Sequence, residues 1–416
     1  MTVDTPRFEI APAVGFPPVI TRGAVARTIV QAMVDRMPIR LRYPDGTEVG
    51  GGDDAAPVLD VVRPRALYRR LEAHPKIGLG EAYMAGDWRA APGTDLAHAL
   101  MPFAARMGEL VPKPLLSLRG LVDRAIPRHQ RNTLEGSRSN ISAHYDLSNE
   151  LFASFLDSSM SYSSAMFDPS RPLAEQDLHE AQVRKVEAIL DAADVVEGSR
   201  VLEIGTGWGE LAIRAARRGA TVTSVTLSQE QRDLALERIE QAGLSERIDV
   251  RLQDYREVTG TFDSIVSVEM IEAVGEEYWK TYFAQLDSLL APGGAVAIQA
   301  ILMEHHRLLA TKGSFGWIQK YIFPGGLIPS LQAIRDVNRD TTTLRVERVQ
   351  SFGADYAETL RRWRETFNEE WPQIKTQGFD ETFRRMWEFY LAYCEAGFAT
   401  SYLDVAQIRL TRRATA

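Results

Sequence analysis

The chain of 416 residues is poor in cysteine, in positive charge and in long apolar runs. Cys394 is its single cysteine, which excludes a disulfide framework or a cysteine-rich zinc site and is typical of a reducing compartment. With 48 basic and 56 acidic residues its net charge is −8, which argues against a nucleic-acid partner. The longest uncharged run, residues 288–303, is interrupted by Pro292 and too short to span a bilayer. Without a signal-peptide pattern at the N-terminus, we expect a cytoplasmic chain, or one lying peripherally at the inner face of a membrane.

The length favours two or three domains. Residues 1–105 are predicted to form a small α+β domain, with strands at 39–43 and 58–62, a turn at Asp45-Gly46 and helices at 66–73 and 79–85. Residues 106–140 form a linker in which basic and apolar residues are mixed. Such a mixture suits an anionic lipid surface, but it is equally typical of a solvated connection between domains. Both interpretations stay open.

Residues 141–416 are predicted to form an α/β catalytic domain with a mostly parallel, doubly wound sheet. Strands are expected at 200–204, 221–226, 248–252, 264–268 and 295–301, and helices at about 209–218, 228–242 and 276–290. A largely helical insertion, at about 304–400, precedes a last strand at 406–410. This insertion is large enough to build a substrate pocket over the sheet.

A glycine-rich turn follows the first of these strands, in Val201-Leu-Glu-Ile-Gly-Thr-Gly-Trp-Gly209. Glycines let the backbone turn tightly and approach a ligand at the carboxyl edge of a sheet. The spacing of Gly205, Gly207 and Gly209 is G-x-G-x-G, which differs from the G-x-G-x-x-G of dinucleotide sites. It favours S-adenosylmethionine (SAM), which has no pyrophosphate to bind.

The ends of the next three strands support this interpretation. Ser228 and Gln231 after Thr226 are spaced as a helix-capping box, and they also suit the ribose hydroxyls. Asp254 and Tyr255 end the third strand, where an adenine would lie. Residues 268–275 end the fourth strand, where the transferred group would meet its acceptor. A methyltransferase is the function that this pattern favours.

The sequence resembles the cyclopropane-fatty-acyl-phospholipid synthase family, which includes the mycolic acid cyclopropane synthases. The matching motifs are His144-Tyr-Asp-Leu-Ser-Asn149, Met160-Ser-Tyr-Ser163, Glu203-Ile-Gly-Thr-Gly-Trp-Gly209, Thr226-Leu-Ser228, Tyr321-Ile-Phe-Pro-Gly-Gly326 and Phe352-Gly-Ala-Asp-Tyr356. A weaker match at residues 78–88 resembles the N-terminal lipid-engaging domain of the family. The resemblance implies a class I SAM-dependent fold and action on a cis double bond in the acyl chain of a membrane phospholipid.

The resemblance also implies roles for individual residues. The SAM-binding residues would be Tyr145, Tyr162, Ser163, Glu203, Gly205, Gly207, Gly209, Thr226, Ser228, Gln231, Asp254 and Tyr255. Glu272, Ile301 and Tyr356 match the active-site Glu, Ile and Tyr. Cys394 matches a cysteine long regarded as catalytic, although olefin methylation needs no thiol nucleophile and a lone Cys among aromatic residues more often packs in a core.

The chain departs from the family at three positions. Family members hold a bicarbonate as the base with a Cys, a His and the Glu, Ile and Tyr above. Here Ser164 stands at the Cys position, Gln299 at the His position and Glu269 at a Gly position. Our hypothesis is that Glu269 supplies a tethered carboxylate in place of bicarbonate, with one carboxyl of Glu269 and Glu272 having a raised pKa. The alternative is that Glu269 only binds the SAM amino group or a helix end, and whether bicarbonate is required stays open.

These departures favour the family branch linked to methylene- and methyl-branched fatty acids. Reduction of a methylene group to a methyl branch would need a separate flavin- or nicotinamide-dependent reductase, since the chain has no dinucleotide motif. A cyclopropane product is the first alternative. A methyltransferase of a soluble small molecule and a non-catalytic lipid-binding protein are the others. The family alone suggests a homodimer.

Overall fold

A computed structural model describes residues 22–106 and 148–413. The predicted linker beyond its first residue and the predicted cofactor residue Tyr145 lie outside the described residues. In chain order the helices are α1 (Arg22–Val34), α2 (Pro64–Ala73), α3 (Pro75–Ala85), α4 (Leu96–Ala105), α5 (Asn149–Phe155), α6 (Leu178–Ala192), α7 (Glu210–Arg217), α8 (Gln229–Gln241), α9 (Trp279–Leu289), α10 (His305–Thr311), α11 (Trp317–Tyr321), α12 (Leu331–Thr341), α13 (Gly353–Glu369), α14 (Trp371–Ile374) and α15 (Glu381–Ala399). The strands are β1 (Arg40–Arg42), β2 (Glu48–Val49), β3 (Val58–Val61), β4 (Trp88–Ala90), β5 (Arg200–Ile204), β6 (Thr221–Thr226), β7 (Ile248–Leu252), β8 (Phe262–Val268), β9 (Leu290–Met303), β10 (Leu344–Ser351) and β11 (Leu403–Arg412).

The described residues fold into two compact units. The first contains the N-terminal part of the chain together with Gly313–Ile322 and Trp363–Tyr402, and the second contains the rest. The predicted helical insertion is therefore divided between the two units. The prediction assigned all of it to the catalytic domain that begins at residue 141. The insertion is divided because α15 packs its apolar face against α3 and α4 of the first unit.

The first unit holds a small sheet of strand order β2-β1-β3-β4. Aromatic side chains of α3, β4 and α15 pack together in this unit, and the rings of Trp88 and Phe389 meet edge to face at 6.1 Å. Arg364 is buried between Asp95 and Glu395, at 2.8 and 2.9 Å from their carboxylates. A paired charge of this kind satisfies its hydrogen-bonding needs inside the unit.

The second unit is built on a seven-stranded sheet of order β10-β11-β9-β8-β5-β6-β7. Strands β5 to β9 pair with one another in parallel, and β11 is antiparallel to β9 and β10. Successive side chains of a strand point to opposite faces. Leu202 and Ile204 of β5 thus belong to one hydrophobic core with α9, while Val201 belongs to a second core with α6 and α7. Helices on both faces and a mostly parallel sheet confirm the predicted doubly wound fold.

Strand β10 is the main difference from the predicted elements. It lies within the stretch that was predicted to be largely helical, and it forms one edge of the sheet by pairing with β11. Charged residues occupy much of its exposed surface, as in Arg345, Glu347 and Arg348. This pattern weakens the alternation by which strands are recognised, and charges protect an edge strand from unwanted pairing.

Candidate active site

A glycine-rich loop connects β5 to α7 at the carboxyl edge of the large sheet. Gly205 and Gly209 have φ angles of 94° and 91°, in the left-handed region that favours glycine. A Cβ atom at Gly205 would lie 2.6 Å from the side chain of Met270, so a larger residue cannot occupy this position without displacing it. The loop therefore lets the backbone form one wall of a cleft.

The cleft is formed by residues of the second unit alone. Nine of the predicted cofactor residues line it: Tyr162, Ser163, Glu203, Gly205, Gly207, Thr226, Gln231, Asp254 and Tyr255. Gly209 and Ser228 do not line it. Gly209 stands at the N-terminus of α7, and Ser228 caps α8 by accepting a hydrogen bond from the amide of Gln231. For Ser228 the structure thus shows the capping role that the spacing also allowed.

The polar side chains at the ends of β6 and β7 are fixed by their neighbours. Thr226 Oγ1 donates to Gln231 Oε1 at 3.0 Å. Asp254, which is buried, is paired with Arg256 at 2.7 Å. The pattern at the strand ends did not indicate Arg256. A carboxylate can accept about four hydrogen bonds, so Asp254 keeps the capacity to bind a ligand.

Glu269 follows β8 directly and is the member of the predicted catalytic group that lines the cleft. Its Oε1 accepts hydrogen bonds from the Ser164 amide at 2.9 Å and from Gln299 Nε2 at 2.8 Å. Its Oε2 accepts one from the hydroxyl of Tyr356 at 2.6 Å. Residues far apart in the sequence thus meet at one carboxylate.

The backbone of Glu269 is strained. Its φ angle of 52° lies in the left-handed region, where a residue with a Cβ atom costs about 1–2 kcal/mol. The resemblance places a glycine here, and the backbone keeps the conformation that glycine favours. Strain held by surrounding contacts is common at functional sites. We therefore infer that the carboxylate, rather than the fold, requires this residue.

Glu272 lies three residues after Glu269. Its Oε1 accepts a hydrogen bond from the Ile301 amide, whereas its buried Oε2 has no protein partner among the described residues. Burial, followed by the negative charge of Glu269, raises the pKa of Glu272 to about 8. Burial also raises the pKa of Glu269, but its three hydrogen-bond donors oppose this. Because the donors converge on Glu269, we assign the negative charge to Glu269 and the proton to Glu272 at neutral pH.

Lys185 is a residue of the cleft that the sequence reasoning missed. It lies on α6, is 3% exposed and donates a hydrogen bond of 2.7 Å to Ser163 Oγ. Burial lowers the pKa of Lys185 to about 8 and raises that of Glu203, another residue of the cleft, to about 8. The sequence held one signal of this burial, since the helical spacing places Lys185 on the same apolar face of α6 as Ala181 and Ile189.

Cys394 lies on α15 in the first unit and does not line the cleft. Burial raises the pKa of its thiol to about 12. A thiol of this kind stays protonated at neutral pH and is a poor nucleophile. This favours the interpretation of Cys394 as a packing residue.

The cleft fits SAM. It lies at the carboxyl edge of the parallel sheet, where such folds bind ligands. Its lining includes two glycines, the carboxylates of Glu203 and Asp254, and the ring of Tyr255. The arrangement defines the class of SAM-dependent methyltransferases.

Comparisons with known proteins agree. The family model described as mycolic acid cyclopropane synthetase matches residues 132–408, and the chain belongs to this family. The tuberculostearic acid methyltransferase UfaA1 of Mycobacterium tuberculosis is 51% identical over 94% of this chain and 91% of its own length. The cyclopropane-fatty-acyl-phospholipid synthase of Escherichia coli is 34% identical over 86% of this chain and 89% of its own.

Solved structures give the same answer. The mycolic acid cyclopropane synthase CmaA1, in complex with SAH and CTAB, has a TM-score of 0.60 and 28% identity, and covers 66% of this chain and 97% of its own. The chain is therefore a SAM-dependent methyltransferase. Within residues 22–106 and 148–413, none of the helices has both the length and the apolar character needed to cross a bilayer.

Proposed function

We propose that the protein transfers a methyl group from SAM to the cis double bond of an unsaturated fatty acyl chain in a membrane phospholipid, and that the product is a methylene-branched acyl chain. The name of the Escherichia coli relative gives a fatty-acyl phospholipid as the substrate of that protein. The relative with 51% identity is named as a methyltransferase rather than a cyclopropane synthase. The observation that carries the proposal is the carboxylate of Glu269, held at the cleft by Ser164, Gln299 and Tyr356.

The reaction needs a weak base that is held in a fixed position. When bound, SAM would supply an electrophilic methyl carbon. The π electrons of the double bond form the new C–C bond to this carbon as its bond to sulfur breaks, and S-adenosylhomocysteine would be the leaving group. The acyl chain then carries a cation on the neighbouring carbon. A hydride shift moves this cation to the carbon that bears the new methyl group. Glu269 removes a proton from that methyl group, the C–H electrons form the C=CH2 bond, and the carboxyl becomes neutral.

Bicarbonate does not fit beside Glu269. The positions that the resemblance assigns to its Cys and His ligands are Ser164 and Gln299, and both donate to Glu269, as does Tyr356. These donors are engaged by a carboxylate of the chain itself. A second anion would be repelled by the charge of Glu269, and it would lack hydrogen bonds because the donors are already engaged. We therefore derive no step through bicarbonate.

The cyclopropane product remains the alternative, because Glu272, Ile301 and Tyr356 match residues of the cyclopropane synthases. Loss of the proton from the new methyl group before the hydride shift would close the ring. Which product forms depends on when Glu269 takes the proton. A reductase would have to be a separate protein, and we propose that the enzyme works at the inner surface of a membrane. The homodimer stays a prediction.

Proton NMR of the product tests the proposal. Purified protein is incubated with SAM and oleoyl-phospholipid vesicles, and the released fatty acids are analysed. Mass alone is insufficient, because both products gain the same CH2. Vinylidene protons would support the methylene product, whereas upfield cyclopropane protons would contradict it. Methylation of a water-soluble acceptor, with no response to vesicles, would refute the substrate class.

A further inference from the structure

Lys185 connects the helix α6 to the catalytic carboxylate through a closed ring of hydrogen bonds. Its Nζ donates to Ser163 Oγ at 2.7 Å, and the next residue, Ser164, donates its amide to Glu269 at 2.9 Å. Gln299 donates to the same carboxylate at 2.8 Å. Gln407 closes the ring by donating to Gln299 Oε1 at 3.2 Å and to the carbonyl of Lys185 at 2.9 Å.

None of the proposed reaction steps involves Lys185. A buried ammonium group is costly unless a negative charge compensates it. The acidic groups that face Lys185 are Glu269, Asp157, Glu210 and Glu203. The elements β9 and β11, which also pack against α6, present the uncharged amides of Gln299 and Gln407.

Two of these acids have partners of their own. Asp157 accepts from Ser159 at 2.9 Å and lies 2.9 Å from His179 Nδ1. Glu210 is paired with Arg214 at 2.6 Å and with Arg238 at 3.1 Å.

Glu203 and Glu269 are the remaining two. Glu203 accepts a hydrogen bond from Ser224, and burial raises its pKa to about 8. Glu269 is the one of the two that the ring of hydrogen bonds connects to Lys185. We therefore take Glu269 as the carboxylate whose charge Lys185 balances. The other titratable groups facing Glu269 are Tyr356 and Glu272.

We propose that Lys185 is a positioning residue of the reaction, whose buried charge keeps Glu269 ionised and whose hydrogen bond to Ser163 fixes the segment that binds Glu269. The proposal rests on the proposed role of Glu269 as the base. Lys185 acts through Glu269, and no contact of Lys185 with the acyl chain is required. The charge of Lys185 opposes the rise that burial causes in the pKa of Glu269.

The test is the pH dependence of kcat in three variants of the full chain, measured with saturating SAM and oleoyl-phospholipid vesicles from about pH 6 to about pH 9. Lys185→Gln keeps a donor for Ser163 but removes the charge. We expect its acid limb to move up by about one pH unit or more, so that kcat on this limb falls about tenfold and recovers at high pH. Lys185→Arg keeps the charge, and its acid limb should stay at the wild-type position.

Gln182→Met is the matched control. Gln182 lies one turn before Lys185 on α6, is fully buried and donates to the carbonyl of Ser163 at 2.9 Å. Its loss removes a hydrogen bond to the same serine without changing the charge. The acid limb of this variant should therefore not move.

Two results would overturn the proposal: an acid limb of Lys185→Gln at the wild-type position, or a kcat that falls by the same factor at every pH. If thermal unfolding and SAM binding show that Lys185→Gln does not fold, Lys185→Met is used in its place. A shifted acid limb in Lys185→Arg would also contradict the proposal. Glu269→Gln separates the two hypotheses. Retained activity there refutes the base itself, whereas an inactive Glu269→Gln with an unshifted Lys185→Gln refutes only the role of Lys185.

Discussion

The hydroxyl of Tyr356 donates a hydrogen bond of 2.6 Å to Oε2 of Glu269. The two residues come from different parts of the second unit, since Tyr356 lies on α13 and Glu269 follows β8. A short hydrogen bond to an ionised acceptor is among the stronger ones in proteins. This hydrogen bond holds the carboxylate of Glu269 in place. Glu269 still lines the wall of the cleft, where a base can reach a substrate.

Glu269→Gln is the first prediction. The amide keeps the shape of the side chain but cannot accept a proton, so turnover should fall by at least about 10²-fold. SAM binding, measured by calorimetry, should stay near the wild-type value. Glu277→Gln, at an exposed glutamate a short distance along the chain, serves as the control and should be fully active. Activity retained in Glu269→Gln would refute the assignment of the base.

Tyr356→Phe is the second prediction. The hydrogen bond from Tyr356 lowers the pKa of Glu269, and its loss should therefore raise that pKa. Because the reaction needs the ionised carboxylate, the acid limb of kcat should move to higher pH. A charged hydrogen bond contributes about 1.5–3 kcal/mol, so kcat near neutral pH should fall by roughly tenfold or more and recover at higher pH. A loss of activity independent of pH would show that Tyr356 acts in another way.

The fold of the second unit could largely be predicted from local patterns. The strands 200–204, 221–226 and 248–252 have the predicted bounds, because each contains β-branched residues and ends at a polar or glycine-containing turn. The last strand is longer than predicted, because Leu403–Arg412 continues into half-exposed residues that pair with β9 and β10. Strand pairing is a tertiary contact, and local periodicity does not reveal where it ends.

The candidate site was predictable only in part. Glycine spacing located the loop, and the resemblance identified Glu269 as an unusual residue. The ring of hydrogen bonds around it could not be predicted, because Ser164 and Gln299 meet it only after the sheet has formed. Lys185 was missed because a lysine in a helix is most often solvated, and its place on the apolar face of α6 was a weak signal beside that expectation.

Cys394→Ala is the third prediction, and it should leave kcat near the wild-type value. Desolvation of the half-buried thiol raises its pKa to about 12, so it is protonated at neutral pH. For the same reason the wild-type protein should react slowly with iodoacetamide and stay active after the treatment. Some loss of thermal stability is expected from the smaller side chain on α15. A loss of kcat of more than about tenfold without unfolding would restore a catalytic role.

The fourth prediction concerns the pH dependence of stability. Burial and the charge of Glu269 raise the pKa of Glu272 to about 8, above the usual value of 4.5 for a glutamate. A folded-state pKa above the unfolded value means that the folded protein binds the proton more tightly. This contribution to stability is fully present below about pH 4.5 and is lost as the pH rises through about 8.

Thermal unfolding of Glu272→Gln measures this effect. The neutral amide has no proton to lose, so the stability of the variant relative to wild type should increase between about pH 5 and about pH 9. Glu277→Gln, on the exposed part of the same loop, is the control and should show no such trend. Parallel pH profiles for Glu272→Gln and wild type would contradict the raised pKa.

The fifth prediction uses the strained backbone of Glu269. Glu269→Gly suits the φ angle of 52° and removes the carboxylate, so the Ser164 amide, Gln299 and Tyr356 lose their acceptor. A free anion can then take its place. The variant should be inactive in bicarbonate-free buffer and regain part of its activity as bicarbonate is added, whereas the wild type should not respond. Glu269→Gln is the control, since its amide fills the space and should prevent rescue. Equal rescue of both variants, or a wild type that depends on bicarbonate, would show that the carboxylate of Glu269 does not replace the anion.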